Sequence, residues 1–188
     1  MYKIVRKKEL NSSVTLMDIE APFIARKAKA GQFIIFRIDD KSERVPLTIA
    51  GYDREKGTVT IIFQKVGFAT KALGSLNEGD YILDFVGPLG RPTDVEGKKR
   101  VCVVGGGVGC AIALPSATAF KEAGAEVTVI VGFRSKDIVI LEDEFKAVAD
   151  RFIMMTDDGS YGRHGLVTQP LQELLEAGEQ FEIGRAHV

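Results

Sequence analysis

The chain has 188 residues, 45% of them hydrophobic, and its 25 Lys+Arg against 26 Asp+Glu give a formal net charge of -1. That is apolar material for one large or two small globular domains, and it argues against a disordered chain, a nucleic-acid binder built on a basic stripe, and a membrane span of roughly 20 apolar residues. The two cysteines, Cys102 and Cys110, form no CxxC pair and give neither a disulfide framework nor a set of metal ligands; their apolar and glycine neighbours predict small buried side chains.

The N-terminal stretch MYKIVRKKEL alternates charged and apolar residues. It lacks the continuous apolar core of a signal peptide, so a cytoplasmic location is expected. Up to about residue 96 the pattern is β. Runs rich in Val, Ile, Phe and Thr occupy 3–10, 13–19, 32–38, 45–52, 58–64 and 81–86. Asn11-Ser12, Asp39-Asp40, Glu55-Lys56-Gly57 and Glu78-Gly79-Asp80 separate them as turns. Six strands with tight connections predict a small antiparallel barrel or sandwich. One helix, over 69–76, interrupts them. Gly87-Pro88-Leu89-Gly90-Arg91-Pro92, followed by Glu96-Gly97-Lys98-Lys99, reads as a linker.

The pattern then changes. A strand is predicted over 100–104, a helix over 111–123 ended by Gly124, a strand over 127–131, a helix over 141–149 and a strand over 152–156. A last helix covers 168–177, with Leu171, Leu174 and Leu175 on one face. Uniformly apolar strands alternating with helices predict a parallel sheet covered on both faces. The expected domains are 1–96 and 99–181. Three strands are few for a doubly wound domain, so the second domain reads as cut short. Residues 182–188, EIGRAHV, continue no apolar pattern and resemble the translation of a common short-read sequencing adapter; a non-native tail is expected there, with a natural charged tail as the alternative. Residues 1–100 carry 18 Lys+Arg against 13 Asp+Glu, and residues 101–188 carry 7 against 13. A modestly basic front half suits a phosphate-bearing ligand, and equally an ordinary solvated surface.

Four segments carry chemistry. Gly105-Gly106-Gly107-Val108-Gly109 directly follows a strand and precedes a helix. Glycines allow a sharp turn and let a pyrophosphate approach main-chain N–H groups at a helix N-terminus. The same cluster would serve close helix–strand packing. Its spacing departs from GxGxxG, because Cys110 takes the next position. No acidic residue closes the second strand to hold a ribose. Arg134, just beyond that strand, suits a 2′-phosphate or an exposed loop. Arg44-Val45-Pro46-Leu47-Thr48-Ile49 offers a planar guanidinium for a diphosphate and a hydroxyl at Thr48, on what is otherwise a plain strand. Gly67-Phe68-Ala69-Thr70 opens the first domain's helix, where N–H groups lack partners; an ordinary cap explains it as well. Thr156-Asp157-Asp158-Gly159-Ser160-Tyr161-Gly162 ends the third strand of the second domain, at the edge where open α/β sheets bind ligands. The adjacent aspartates make no catalytic dyad, and His164 beyond them is expected in solvent.

In this order the motifs resemble the ferredoxin–NADP reductase superfamily, from residue 1 to about 181. RVPLTIA at 44–50, the stretch 63–70, GPLGRP at 87–92, VVGGGVG at 103–109 and TDDGSYG at 156–162 carry the resemblance. They look most like the branch of the dihydroorotate dehydrogenase electron-transfer subunit and the small (alpha) subunit of NADH-dependent ferredoxin–NADP oxidoreductase. The resemblance implies a Greek-key, FAD-binding β-barrel followed by an NAD(P)-binding α/β domain. It implies that the segment Arg44, Val45, Pro46, Leu47 and Thr48 meets FAD, with Arg44 at the diphosphate and Thr48 at the isoalloxazine or ribityl region, where it is the candidate for a hydrogen bond near flavin N5. It implies that Gly67, Phe68, Ala69 and Thr70 meet the FAD pyrophosphate. Gly105, Gly106, Gly107, Val108 and Gly109, with Asp157, Asp158, Gly159 and Ser160, are implied at the nicotinamide nucleotide. Two departures stand out: Thr48 is four residues after Arg44 where many members have three, and Ala111 is followed by Ile112 where proline is common.

The implied activity is electron transfer between NAD(P)H and FAD. In a longer protein it continues to a [2Fe-2S] cluster and a larger oxidoreductase subunit of a hetero-oligomer. The cluster's four cysteines belong to a C-terminal segment beyond this chain, and neither Cys102 nor Cys110 carries over as a ligand. A stand-alone FAD/NAD(P) reductase and an FAD-binding module without turnover are the rival readings.

Overall fold

The computed structural model describes residues 1–187, with side chains through Glu182. The chain divides into two compact units, Met1–Thr93 and a second that begins at Asp94.

The first unit contains strands β1 (Tyr2–Glu9), β2 (Val14–Glu20), β3 (Phe33–Arg37), β4 (Val45–Asp53), β5 (Thr58–Gln64), β6 (Tyr81–Ile82) and β7 (Asp84–Leu89). Helices α1 (Pro22–Lys27) and α2 (Phe68–Ser75) lie between them. The order is β6-β1-β2-β5-β4-β3-β7, with every pairing antiparallel. β2 lies beside β5 and not beside β3, which makes a Greek key. β6 and β7 are one predicted strand broken at Leu83. Its first part pairs with β1 and its second with β3, and the Leu83 amide donates to the Ile38 carbonyl at 3.0 Å. That run therefore bends the sheet into a nearly closed barrel and shortens its open edges. Alternate residues point inward and form the core, among them Ile4, Met17, Ile19, Ile34, Phe36, Ile49, Ile61, Phe63 and Phe85.

Two features differ from the sequence reading. Helix α1 was not expected. It has six residues, too few to show a helical period, but Pro22 suits its first turn and Ile24 and Ala25 are buried. Residues 87–89, read as linker, belong to β7, where Leu89 pairs with Phe33. The Gln32 side-chain amide donates to the Gly90 carbonyl at 3.0 Å, and the Thr93 amide to the Ala30 carbonyl at 2.8 Å. The Gly/Pro run is thus tied to the barrel as far as residue 93.

The second unit contains β8 (Arg100–Gly106), α3 (Cys110–Glu122), β9 (Glu126–Phe133), α4 (Glu142–Val148), β10 (Arg151–Thr156), β11 (Arg163–His164), α5 (Thr168–Glu176) and β12 (Ile183–His187). Its sheet is parallel, in the order β11-β10-β9-β8-β12. Cys102, Val104, Ile130 and Met155 form the core under Leu171 and Leu174 of α5. Gly105 faces α3 on the opposite side of the sheet. Leu175, expected beside Leu171 and Leu174, is instead 53% exposed, because the apolar face of this short helix rests on residues one turn apart. The run 182–188, which showed no strand pattern, contributes β12. Its backbone pairs with β8 from Ile183 opposite Val101 to His187 opposite Gly105, so β8 has a neighbour on each side. Ladder hydrogen bonds between main chains do not require apolar side chains.

Candidate functional site

The first cluster lies at one end of the barrel. Along β4, Val45 and Leu47 pack against the core and Ile49 is fully buried. Alternation therefore puts Arg44, Pro46 and Thr48 on the outer face. The four-residue spacing that departs from the wider superfamily keeps the guanidinium and the hydroxyl on the same face, roughly 13 Å apart along the strand. Val45 and Leu47 can face a ligand only with their backbone. Arg44 is exposed, and its Nη2 lies 3.6 Å from Asp84 Oδ2. The same carboxylate oxygen accepts from Arg37 Nε at 2.7 Å and lies 2.7 Å from Arg37 Nη2. One carboxylate thus holds two guanidinium groups at the barrel rim. Arg44 spends one nitrogen of a five-donor fork on it.

β4 and β5 are antiparallel, so the start of β4 and the end of β5 share one end of the barrel. Helix α2 opens there. Thr70 Oγ1 accepts from the Gly67 amide at 3.0 Å and the Val66 amide at 3.2 Å, and donates to the Gly67 carbonyl at 3.2 Å. The Thr70 hydroxyl, expected to face an anion, is thus engaged in capping its own helix. The N–H groups of Phe68, Ala69 and Thr70 fall in the first turn, where the helix supplies no acceptor. A methyl group built on Gly67 would meet nothing closer than 3.9 Å, so the approach to them is open.

The second cluster lies along the carboxyl edge of the parallel sheet. Register aligns Gly106 with Gly132 and Gly132 with Met155, so the loops after β8, β9 and β10 emerge side by side. The glycine loop combines both uses left open by its sequence. A Cβ on Gly105 would sit 3.0 Å from Cys110 Sγ and 3.2 Å from Ala113 Cβ, so this glycine permits close packing of α3. Gly107 has φ +52 and no atom within 4 Å of a built Cβ, so it serves backbone shape and leaves space. Cys102 and Cys110 are both buried. Burial pushes their thiols up to about 11 and about 12, which keeps them protonated and unreactive. Among the described residues no group of three or more His, Cys, Asp and Glu is arranged to hold a metal ion.

The loop after β10 is laced together. Asp158 Oδ1 accepts from the Ser160 amide at 2.9 Å and the Ser160 hydroxyl at 2.6 Å. The Ser160 hydroxyl, and then its amide, hold the Asp158 carboxyl below the usual range. Ser160 Oγ in turn accepts from the Lys136 amide at 2.9 Å. The amides of Asp157 and Asp158 donate to the carbonyls of Phe133 and Arg134 at 3.0 and 3.2 Å. The loops after β9 and β10 therefore form one surface, with Arg134 and His164 exposed on it. Sequence reasoning gave no role to Tyr161, Glu142, Arg37 or Asp84. Tyr161 and Glu142 lie 19 positions apart, and Arg37 and Asp84 47 apart, so no local spacing signals either contact.

Comparison with known proteins agrees with this fold. The chain is 42% identical over 174 residues to the dihydroorotate dehydrogenase B (NAD(+)) electron transfer subunit homolog of Thermotoga maritima, covering 93% of this chain and 61% of that protein. It is 32% identical over 177 residues to the dihydroorotate dehydrogenase B (NAD(+)) electron transfer subunit of Streptococcus pneumoniae serotype 4, covering 92% of this chain and 70% of that protein. The chain belongs to this electron-transfer subunit family. Among solved structures, an NADH-dependent reduced ferredoxin–NADP oxidoreductase, studied for flavin-based electron bifurcation, matches with a TM-score of 0.92 at 40% identity over 100% of this chain and 67% of that one. The nearly closed antiparallel barrel and the parallel sheet are thus the two halves of a ferredoxin reductase-like fold. No family model matches the chain. The chain spans 61–62% of the length of the curated relatives that it matches at 42–51% identity. Among the described residues no helix is long and apolar enough to cross a membrane.

Proposed function

We propose that this chain is the FAD- and nicotinamide-binding part of an electron-transfer subunit. In the complete protein, reducing equivalents would pass between NAD(P)H and FAD, then to a [2Fe-2S] cluster outside this chain and to a larger partner subunit. The observation that carries the reading is the convergence of Arg44 and the opening of α2 at one barrel end, with Thr48 on the same face of β4 as Arg44.

The residues fit the cofactor. A dinucleotide presents a diphosphate and, further along, a flat ring system. Arg44 supplies a planar fork that matches phosphate oxygens. The N–H groups of Phe68, Ala69 and Thr70 supply a second set of donors, reinforced by the positive end of α2. Gly67 leaves the approach clear. Thr48 is assigned a hydrogen bond near flavin N5, and Pro46 a rigid backbone between the two ends. In the second unit, Gly105, Gly106, Gly107, Val108 and Gly109 are assigned to the nucleotide pyrophosphate. Asp157, Asp158, Gly159 and Ser160 are assigned to the nicotinamide half. When bound, FAD supplies the ability to take two electrons as hydride and release them singly. The protein's own work is to orient the rings and exclude water, and no side-chain general base is required.

The family supports the partner and electron-transfer parts of the proposal, since its members are named as subunits. Anaerobic addition of NADH or NADPH to the FAD-loaded protein, expressed from its full reading frame, is expected to bleach the flavin. Arg44→Ala is expected to weaken FAD retention by roughly 1.5–3 kcal/mol, the value of one charge-assisted contact. Unchanged FAD content after dialysis would remove Arg44 from the site. Thr48→Ala is expected to slow reduction more than it lowers flavin content.

A further inference from the structure

Tyr161 has contacts that the proposed function does not use. Its main chain is fixed from inside the sheet. Thr156, fully buried at the end of β10, donates from Oγ1 to the Tyr161 carbonyl at 2.6 Å and accepts from the Tyr161 amide at 3.1 Å. Its side chain is fixed from outside. The phenol donates to Glu142 Oε1 at 2.9 Å, and Glu142 is the first residue of α4. The same Glu142 oxygen lies 2.7 Å from Lys146 Nζ, one helical turn on. The Lys136 ammonium lies 5.2 Å from the Tyr161 ring centroid, in cation–π range. Lys136 also donates its amide to Ser160 Oγ. Everything between Thr156 and Tyr161 is therefore a closed loop. Its near end is held by a buried hydroxyl, and its far end by the connection from β9 to α4. Asp157, Asp158, Gly159 and Ser160 are the residues so enclosed.

We infer that Tyr161 is a positioning residue for the nicotinamide nucleotide, acting with Glu142 as a latch that holds the 157–160 loop in its binding shape. The inference rests on the proposed assignment of that loop to the nucleotide. A loop ordered before the ligand arrives loses less conformational freedom on binding, so the latch raises affinity without touching the ligand. The latch also persists across ordinary pH. Lys146, and then the Tyr161 hydroxyl, hold the Glu142 carboxyl below its usual range, while Glu142 raises the Tyr161 phenol. Acceptor and donor thus both keep the forms the hydrogen bond needs. The charged groups acting on the pair are Lys146 and Asp143 on α4, and Lys136 between β9 and α4.

The test uses steady-state kinetics of the FAD-loaded protein with NADH and NADPH. Tyr161→Phe deletes only the hydroxyl, whereas Glu142→Ala deletes the acceptor together with the Lys146 ion pair. Each is expected to raise the nucleotide KM about three- to tenfold, the worth of one hydrogen bond. kcat and FAD content should stay near wild type. The double variant should be no worse than Glu142→Ala alone, because the Tyr161–Glu142 bond is already broken there. Additive KM effects, or equal losses in kcat and KM accompanied by a lower melting temperature, would overturn the latch and leave Tyr161 a merely structural residue. Failure of the underlying assignment looks different: Asp157→Ala and Ser160→Ala would then leave the nucleotide KM unchanged.

Discussion

At Gly105 a methyl group would press on the Cys110 sulfur at 3.0 Å, the Cys110 Cα at 3.3 Å and Ala113 at 3.2 Å. Two of these contacts involve rigid atoms of α3, which cannot swing aside. Two residues on, Gly107 meets nothing, and its only special demand is the left-handed φ of +52. Asn tolerates that conformation better than other non-glycine residues. Gly105→Ala is therefore expected to cost about 1–3 kcal/mol of stability, as overpacking does. Gly107→Asn should cost at most about 1 kcal/mol, for the left-handed backbone alone, yet weaken nucleotide binding, because its side chain fills the space in front of the loop. Urea unfolding and nucleotide titration of both variants check this, and equal stability losses would refute the division of labour. The sequence could not separate the two glycines. Both stand in one run of identical residues, and only the packing of Cys110 and Ala113 distinguishes them.

The two edges of the parallel sheet are built from different chemistry. At the amino edge, ion pairs join the strand starts. Arg100 at the head of β8 reaches Glu126 at 3.2 Å and Glu179 at 3.1 Å, and Arg151 at the head of β10 reaches Glu179 at 2.5 Å. At the carboxyl edge stand the glycine loop and the latched loop after β10. Asp150, just before β10, ties elements together at the amino edge. It accepts from Lys121 Nζ near the end of α3 at 2.5 Å and from the Val127 amide of β9 at 2.8 Å. Lys121, then Val127, hold its carboxyl below the usual range in the folded protein. A depressed folded-state pKa means the unfolded chain binds the proton more readily as pH falls. The stabilisation is thus complete above the unfolded value of about 3.9 and disappears as pH drops through the lower folded one. The stability gap between wild type and Asp150→Asn is therefore expected to be widest near neutrality and to narrow as the pH falls below the ordinary carboxylate range. A pH-independent gap in chemical denaturation would show that the carboxylate charge is not what matters. At this scale the sequence reading succeeded where elements were long and periodic. It missed α1, which is a single short turn and a half around Pro22, and it put Leu175 on the wrong side of a helix whose apolar face is two residues wide.

For the molecule as a whole, the division into a β half and an α/β half was legible because the patterns differ in kind. Alternating runs with tight turns give way after residue 93 to uninterrupted apolar strands separated by helices, and each pattern folds within its own unit. The closure of the barrel was less legible, since it depends on one strand switching partners at Leu83, and local pattern records nothing about partners. Strand β12 was illegible for a related reason: its pairing with β8 is made by backbone groups, which leave no mark on composition. The candidate site followed the same rule. Motif segments were found, whereas the residues that hold them, Asp84 for Arg44 and Glu142 for Tyr161, were supplied by distant elements. In the proposed function each unit carries its own ligand, and this predicts a divided pattern of protection. A ligand that binds only the folded state stabilises by about 2.7 kcal/mol at a hundredfold excess over its Kd, close to a hundredfold in amide exchange where local opening exposes its site. FAD is expected to slow exchange chiefly across 44–49 and 66–71. A nicotinamide nucleotide added to the FAD-loaded protein should then slow it across 104–110 and 156–161. Tyr161→Phe should weaken the second effect at 156–161 while leaving FAD protection of the barrel intact, because the latch acts on the loop after β10 alone. Loss of FAD protection in that variant would mean that the two halves are coupled through Tyr161, and the separate assignment of ligands would have to be abandoned.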